Sequence, residues 1–169
     1  MMHRTIGYLP VAFALLACQM RPTPSPEALR LDSALARVHS SIRTSRAVNP
    51  SAEVQFIELG EHYCANHRDS VRCPRFYYTA AFLMLHRRQN PELAIKYLHR
   101  IVLDYPNSPR APDALWQKAL IYESMGKPQG ARSAYKSLIT RYPNDSLAQL
   151  ARQAIRLIDS LPLHAKPTL

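Results

Sequence analysis

Leu103-Asp104-Tyr105-Pro106-Asn107-Ser108 recurs as Thr140-Arg141-Tyr142-Pro143-Asn144-Asp145, 37 residues further along the chain. The same interval separates Pro91 from Pro128 and Ala94 from Ala131. Helical packing has a use for each of these residues. Proline opens a helix at its first position or stops one at its end, and alanine lets two helices approach closely. A fixed period of this length marks a helix-turn-helix unit stacked into a solenoid.

Working outward, Arg75 to Arg88 reads as one helix, with Phe76, Tyr77, Ala80, Ala81, Leu83 and Met84 on a broad apolar side. Asn90 caps the next helix, Pro91 opens it, and Glu92 favours its positive end. Pro112 to Met125, the turn Gly126-Lys127, and Pro128 to Arg141 repeat the plan. Upstream, Ala52, Phe56, Leu59 and Tyr63 follow the spacing of Ala94, Leu98, Ile101 and Tyr105, so a third copy is expected there, with Cys64 in the place of the proline. Leu31, Leu35, Val38 and Ile42 line one face of a helix opening at Pro26, and Ser40 to Val48 is the expected loop after it. Ser146 to Leu161 carries Leu147, Leu150, Ala151, Ala154, Ile155 and Ile158 on one side, which suits a helix capping the open end of the array.

The chain is long enough for one modest core. It holds only 4 glycines, and most of its 14 prolines fall at these helix boundaries. The formal net charge of +10 favours acidic partners. The basic residues are scattered, with Arg87-Arg88 the only adjacent pair, and neither zinc-finger spacing nor an RNP-like aromatic phrase occurs. Nucleic acid is therefore not expected as a partner. Nor does the sequence hold a phosphate-cradling glycine loop, a serine-histidine-acid phrase or a recognised metal spacing. An enzyme, a cofactor, a bound metal and a small-molecule substrate are accordingly not expected.

The amino terminus reads as an address. Arg4 is its only charge before an apolar run from Thr5 to Ala17, too short for a membrane-spanning helix of about 20 residues and suited to a signal-peptide core. The run ends Leu15-Leu16-Ala17-Cys18, which resembles the lipobox of bacterial lipoproteins; an ordinary secretory signal with an incidental cysteine is the alternative. The resemblance implies lipidation of Cys18, with fatty acyl chains such as palmitate. Gln19 in the following position resembles the outer-membrane members. Each buried CH₂ adds about 0.8 kcal/mol, so several chains make a stable anchor. Arg21-Pro22-Thr23-Pro24-Ser25-Pro26 then reads as a stiff, extended tether.

Cys64 and Cys73 stand at the ends of a polar loop, Ala65 to Arg72. A disulfide fits an oxidising envelope. Free thiols remain open, as does a metal held by His62, Cys64, His67 and Cys73.

The repeated residues resemble the tetratricopeptide repeat family. In Pro112 to Asp145 the resemblance rests on Ala119, Tyr122, Gly126, Ala131, Tyr135 and Pro143; in the preceding unit Ala94 and Pro106 agree, while Phe82 stands at the small position and Gln89 at the turn glycine. A slip of one residue, placing Ala81 at the small position, restores that pattern. The phrases Tyr105-Pro106-Asn107-Ser108 and Tyr142-Pro143-Asn144-Asp145 are similar to those of BamD-like outer-membrane assembly lipoproteins and of the Tol-Pal coordinator. The family's concave face is mostly the first helix of each pair. Transferring its helical phase implies a partner-binding face of Phe76, Thr79, Leu83 and His86, then Asp113, Trp116, Leu120 and Glu123. Trp116 is the preferred anchor, a packing role between repeats being its alternative. The lysine, arginine and asparagine clamp by which some relatives hold chaperone tails is replaced by Thr79, Leu83, Trp116 and Leu120, so that activity is not expected.

The expected protein is thus all-α, a helical-hairpin solenoid of about three repeats with a C-terminal capping helix. Residues 1–17 form the signal peptide, 18–25 the lipidated cysteine and proline-rich tether, 26–161 the helical domain, and 162–169 a tail. It is expected to be an adaptor for a protein or peptide segment of envelope proteins, lipid-anchored in the bacterial outer membrane and facing the periplasm, in outer-membrane protein assembly. The alternative is a structural envelope lipoprotein that self-associates or contacts the cell wall.

Overall fold

Residues 23–43 and 50–160 are described by the computed structural model. The expectations for Met1 to Ala17, for Cys18, for most of the Ser40 to Val48 loop and for residues 162–169 lie outside them. Among the described residues the chain forms helices only: α1 (Pro26–Arg43), α2 (Pro50–Asn66), α3 (Arg72–His86), α4 (Pro91–Asp104), α5 (Arg110–Ser124), α6 (Pro128–Arg141) and α7 (Ser146–Ser160). They stack in sequence as antiparallel pairs in two layers. The inner layer is α1, α3, α5 and α7, each beside the next; α2, α4 and α6 back it. This is an all-α helical-hairpin solenoid of three pairs and a closing helix.

The boundaries follow from local chemistry. Proline occupies the first position of α1, α2, α4 and α6, where its missing N–H costs nothing. The Ala28 N–H donates to Ser25 Oγ at 3.2 Å, and the Leu93 N–H to Asn90 Oδ1 at 2.9 Å. At the far ends, Tyr105 and Tyr142 leave helical geometry with φ of −133° and −131°, and the following prolines prevent resumption. Tyr142 Oη then donates to the Pro106 carbonyl at 2.7 Å, so the second copy of the phrase is bonded to the first.

Close packing depends on small residues. Ala80, Ala94, Ala111, Ala114, Ala119, Ala131 and Ala148 are fully buried, and Tyr77, Tyr135, Phe56 and Phe76 fill the space beside the crossings. Two phases differ from those read in the sequence. On α2 the buried face is Glu53, Phe56, Gly60, Tyr63 and Cys64, while Ala52 and Leu59 are half-buried. The reason is the Phe76 ring, which lies against the backbone of Gly60; a Cβ on Gly60 would fall inside that ring. Glu53 is carried inward with it and meets Arg87 at 3.5 Å and Arg88 at 3.7 Å.

On α3 the buried residues Phe76, Tyr77, Ala81 and Leu83 correspond to Ala114, Leu115, Ala119 and Ile121 of α5, an interval of 38 rather than 37 residues. The extra residue lies in the turn. Its Asn90 N–H reaches back to the Met84 carbonyl at 2.9 Å, six residues away, whereas the Lys127 N–H reaches the Tyr122 carbonyl, five residues away, at 2.9 Å. Gln89 and Gly126, 37 residues apart, both take the left-handed conformation, with φ of 48° and 65°. The small position is therefore Ala81, and Phe82 is released to the surface.

The sulfurs of Cys64 and Cys73 are bonded across the α2–α3 turn, with Cα atoms 5.6 Å apart. At the other end α7 buries Ala148 and Ala151 against the array but leaves Leu150 45% and Leu157 68% exposed, so the cap is apolar on its outer side too.

Gly60→Ala is expected to destabilise the protein by about 1–3 kcal/mol, the usual cost of overpacking. Gly126→Ala should cost about 1 kcal/mol through left-handed strain, and Gln89→Gly should not destabilise. Urea denaturation followed by circular dichroism checks all three. Reduction with dithiothreitol should lower stability by about 2–3 kcal/mol, from the loss of a short covalent loop.

Candidate functional site

The inner layer carries a groove made of two adjoining recesses. The first, about 230 Å³, lies between α1, α3 and α5 and is lined by His39, Ile42, Arg75, Tyr78, Phe82 and Arg110. The second, about 360 Å³, shares Tyr78 and Phe82 and continues over Leu85, His86, Gln117 and Ile121. Tyr78 and Phe82 form the ridge between them. They stand one turn apart on α3, and they point inward because Phe76, Tyr77, Ala80 and Ala81 hold the opposite side in the core.

Electrostatics give the groove a sign. The Arg110 guanidinium lies over the Tyr78 ring, 4.9 Å from its centre, and 3.5 Å from Asp113. Burial raises the Tyr78 phenol above its ordinary pKa, and Asp113 adds to the effect. His39 Nε2 is 2.9 Å from the Thr79 hydroxyl. Burial, then Arg75 and Arg110, hold the His39 imidazole below its ordinary pKa. Arg75 pairs with no carboxylate among the described residues. A third depression, about 940 Å³, opens at the C-terminal end of α3, sharing Ile42, Phe82 and His86 with the groove and reaching Glu53, Arg87 and Arg88.

The partner-binding face read from the sequence is corrected on α3. Phe76 and Leu83 are fully buried and face no partner, while Thr79, buried and bonded to His39, lines the floor of the first recess. The 38-residue correspondence puts Arg75, Tyr78, Phe82 and Leu85 in the positions that Asp113, Trp116, Leu120 and Glu123 hold on α5. The expected slip to Ala81 was the signal that located them. His86 is exposed, lines the groove and stacks on Phe82 with ring centres 4.3 Å apart. On α5, Leu120 is exposed, Asp113 is half-buried beside Arg110, and Glu123 is exposed and bonded to the Tyr135 hydroxyl, whose pKa is raised chiefly by burial. Trp116 is half-buried with its ring centre 5.2 Å from that of Tyr135, so it has a packing role within its own hairpin.

His62 and His67, read as conceivable metal ligands, are engaged otherwise: Asn66 donates to the His62 carbonyl at 3.0 Å, and His67 pairs with Glu27 at 3.0 Å. Among the described residues no cluster of three histidine, cysteine or acidic side chains could hold a metal ion, and no helix is long and apolar enough to cross a membrane.

Paired helices in two layers, with a groove along the inner one, define a helical-repeat scaffold for protein interaction. The tetratricopeptide repeat family model matches residues 76–108 and 113–145, the α3–α4 and α5–α6 hairpins together with their tyrosine-proline ends. The chain therefore contains tetratricopeptide repeats, which typically act as non-enzymatic scaffolds binding proteins or peptides. No curated protein matches the chain.

The histidines set a pH dependence. His39 and His99 both have folded pKa values below 6.5, mainly through burial. The unfolded chain takes up their protons first as pH falls, so stability is full above about 6.5 and declines as pH drops through that value towards the folded ones. Urea midpoints at pH 7.5 and 5.5 should show the decline, and His39→Gln should reduce it. Arg75→Gln should raise the His39 pKa towards 6.5, read from its imidazole proton resonances.

Proposed function

We propose that the protein is a membrane-tethered adaptor of the bacterial cell envelope, binding a segment of another protein along its inner-layer groove. The observation that carries this reading is the groove itself: an aromatic ridge, Tyr78 and Phe82, held at the surface between two recesses of a tetratricopeptide array. Phe82 is 39% exposed and lines both recesses, so its ring is available to a bound segment. The Leu15-Leu16-Ala17-Cys18 phrase supports lipid anchoring at Cys18. Gln19 favours the outer membrane with the domain facing the periplasm, and the tyrosine-proline phrases favour a role beside BamD-like proteins or the Tol-Pal coordinator in envelope assembly.

A second reading has its own support. The outer helix α6 lines a shallow depression of about 490 Å³ with Arg132, Lys136 and Arg141 among serine and threonine side chains. Such a basic stripe suits contact with anionic wall polymer, and the exposed leucines of α7 suit self-association.

A photo-crosslinking residue placed at position 82 in cells should capture a discrete envelope protein, and Phe82→Ser should abolish its co-purification with helicity unchanged. Lys136→Glu with Arg132→Glu should leave that capture intact; loss of capture only in this outer-face variant would favour the second reading. Cys18→Ala should move the protein from the membrane to the soluble fraction.

A further inference from the structure

Resting on the proposed lipid anchor at Cys18, we infer that the protein docks on the membrane surface through one corner of its array, with Leu29 and Val71 as the side chains that enter the headgroup region. The corner is the first turn of α1 together with the α2–α3 turn. His67 pairs with Glu27 at 3.0 Å and Arg72 with Asp32 at 3.0 Å, so the α2–α3 turn lies against the start of α1, where the tether joins. With the His39 contact to Thr79 at 2.9 Å, these bonds share one separation of 40 residues and hold α1 parallel to α3. Arg68 to Val71 and Asp104 to Arg110 wall one depression of about 580 Å³, and Tyr142 Oη donates to the Pro106 carbonyl. The turns before α3, α5 and α7 thus form one edge of the solenoid, and the chain leading back to Cys18 joins that edge at its α1 corner.

Val71 is 81% exposed, more than any other large apolar side chain among the described residues, and Leu29 is 54% exposed. Neither has a place in the core. On α1 the buried face is Ala28, Leu31, Ala34, Leu35 and Val38, and Val71 is the N-cap of α3, ahead of its first turn. Leu103, 57% exposed in the last turn of α4, continues the apolar surface along the same edge. The tether fixes what this surface meets. Cys18 and Pro26 are eight residues apart, about 25 Å at the rise of an extended proline-rich chain. A lipidated Cys18 therefore keeps the corner within reach of the headgroups. The opposite edge stands a helix length further off, about 22 Å for the fifteen residues of α5. This placement also serves the groove. Phe82 lies eleven residues beyond Val71, about 16 Å along α3, so docking at the corner lifts the aromatic ridge clear of the lipid and leaves it open to a protein segment.

The test uses the full lipidated chain in phosphatidylcholine vesicles that contain a spin-labelled lipid. Zwitterionic lipid is chosen so that charge attraction alone gives no signal. An environment-sensitive fluorescent amino acid replaces Val71 or, at the opposite edge, Gln129; both positions are exposed, and the second controls for the label's own apolarity. Flotation with the vesicles establishes the anchor, and Cys18→Ala should abolish it. Quenching at position 71 should be at least twofold stronger than at position 129, with bluer emission. With the label at position 29, Val71→Glu should reduce quenching at least twofold while flotation and the helical spectrum stay unchanged. Equal quenching at 71 and 129, or stronger quenching at 129, in protein that floats overturns the inference and leaves the anchor standing. That comparison needs no destabilising variant. Indifference of position 29 to Val71→Glu also overturns the docking corner. Failure of the lipidated chain to float overturns the anchor and the inference together.

Discussion

The Phe76 ring occupies the space that a Cβ on Gly60 would need, with the Phe56 ring edge-on at 5.3 Å and Tyr77 beside it at 5.0 Å. No other residue fits at position 60, and this contact fixes the rotation of α3 about its axis. Once Phe76 is seated, helical geometry sends Tyr77, Ala80 and Ala81 into the core and turns Arg75, Tyr78, Phe82 and Leu85 to the inner surface. Had Phe82 taken the small position instead, an aromatic ring would have to enter a helix crossing where the next repeat holds Ala119, fully buried. The longer turn at Arg87 to Asn90 absorbs the difference, so α4 meets α5 and α6 in the same register although α3 is displaced by one residue. A contact between α2 and α3 thereby determines what the groove presents.

The joints between repeats use bonds at nearly constant sequence separation, as a solenoid requires. His39 to Thr79, Glu27 to His67 and Asp32 to Arg72 each span 40 residues and tie α1 and its tether end to α3 and the turn before it. Along the outer layer Arg100 reaches Glu61 and Arg141 reaches the Val102 carbonyl, each across 39 residues. In such arrays stability is a sum of hairpins and nearest-neighbour joints, so the weakest joint governs local opening. The α2–α3 joint has a disulfide at one end and the buried Glu53 with its two arginines at the other. It is also the joint that carries the Phe76–Gly60 contact on which the groove depends, so covalent and ionic restraints fall where a shift would disturb the binding face most.

The architecture was legible because its signals are periodic. Tyrosine-proline ends, alanines at crossings and opening prolines each recur at one interval, and the repeat emerges from their agreement. The site was only partly legible. On α5 the groove is lined by Arg110, Gln117 and Ile121 rather than by Asp113, Trp116, Leu120 and Glu123. On α3 a uniform interval of 37 residues carried the phase to the buried Phe76 and Leu83, though Thr79 and His86 do line the groove. Spacing measured from the outer helices cannot register an insertion in the turn that precedes them. Only the mismatch of Phe82 with a small position betrayed it. On α2 the clue was weaker still: Ala52 and Leu59 make a better apolar pattern than Glu53 and Gly60. A glycine buried beneath an aromatic ring, and a glutamate buried with arginines, have no hydrophobic signature. Cation placement was illegible for a related reason, since the arginines are scattered in sequence and converge only through the stacking of α1, α3 and α5.

The net charge of +10 then takes on a shape. Many acidic side chains are committed to bridges at the joints and on the outer face: Asp32 to Arg72, Glu61 to Arg100, Glu92 to Lys127 and Asp159 to Arg132. These exposed pairs contribute little stability each, but they neutralise the cations they hold. On the inner layer Glu53 faces Arg87 and Arg88, and Asp113 faces Arg110. Arg75 and Arg110 line the recess beside the aromatic ridge together with His39. Arginines scattered in the sequence are thus divided by folding between the joints and the rim of the groove.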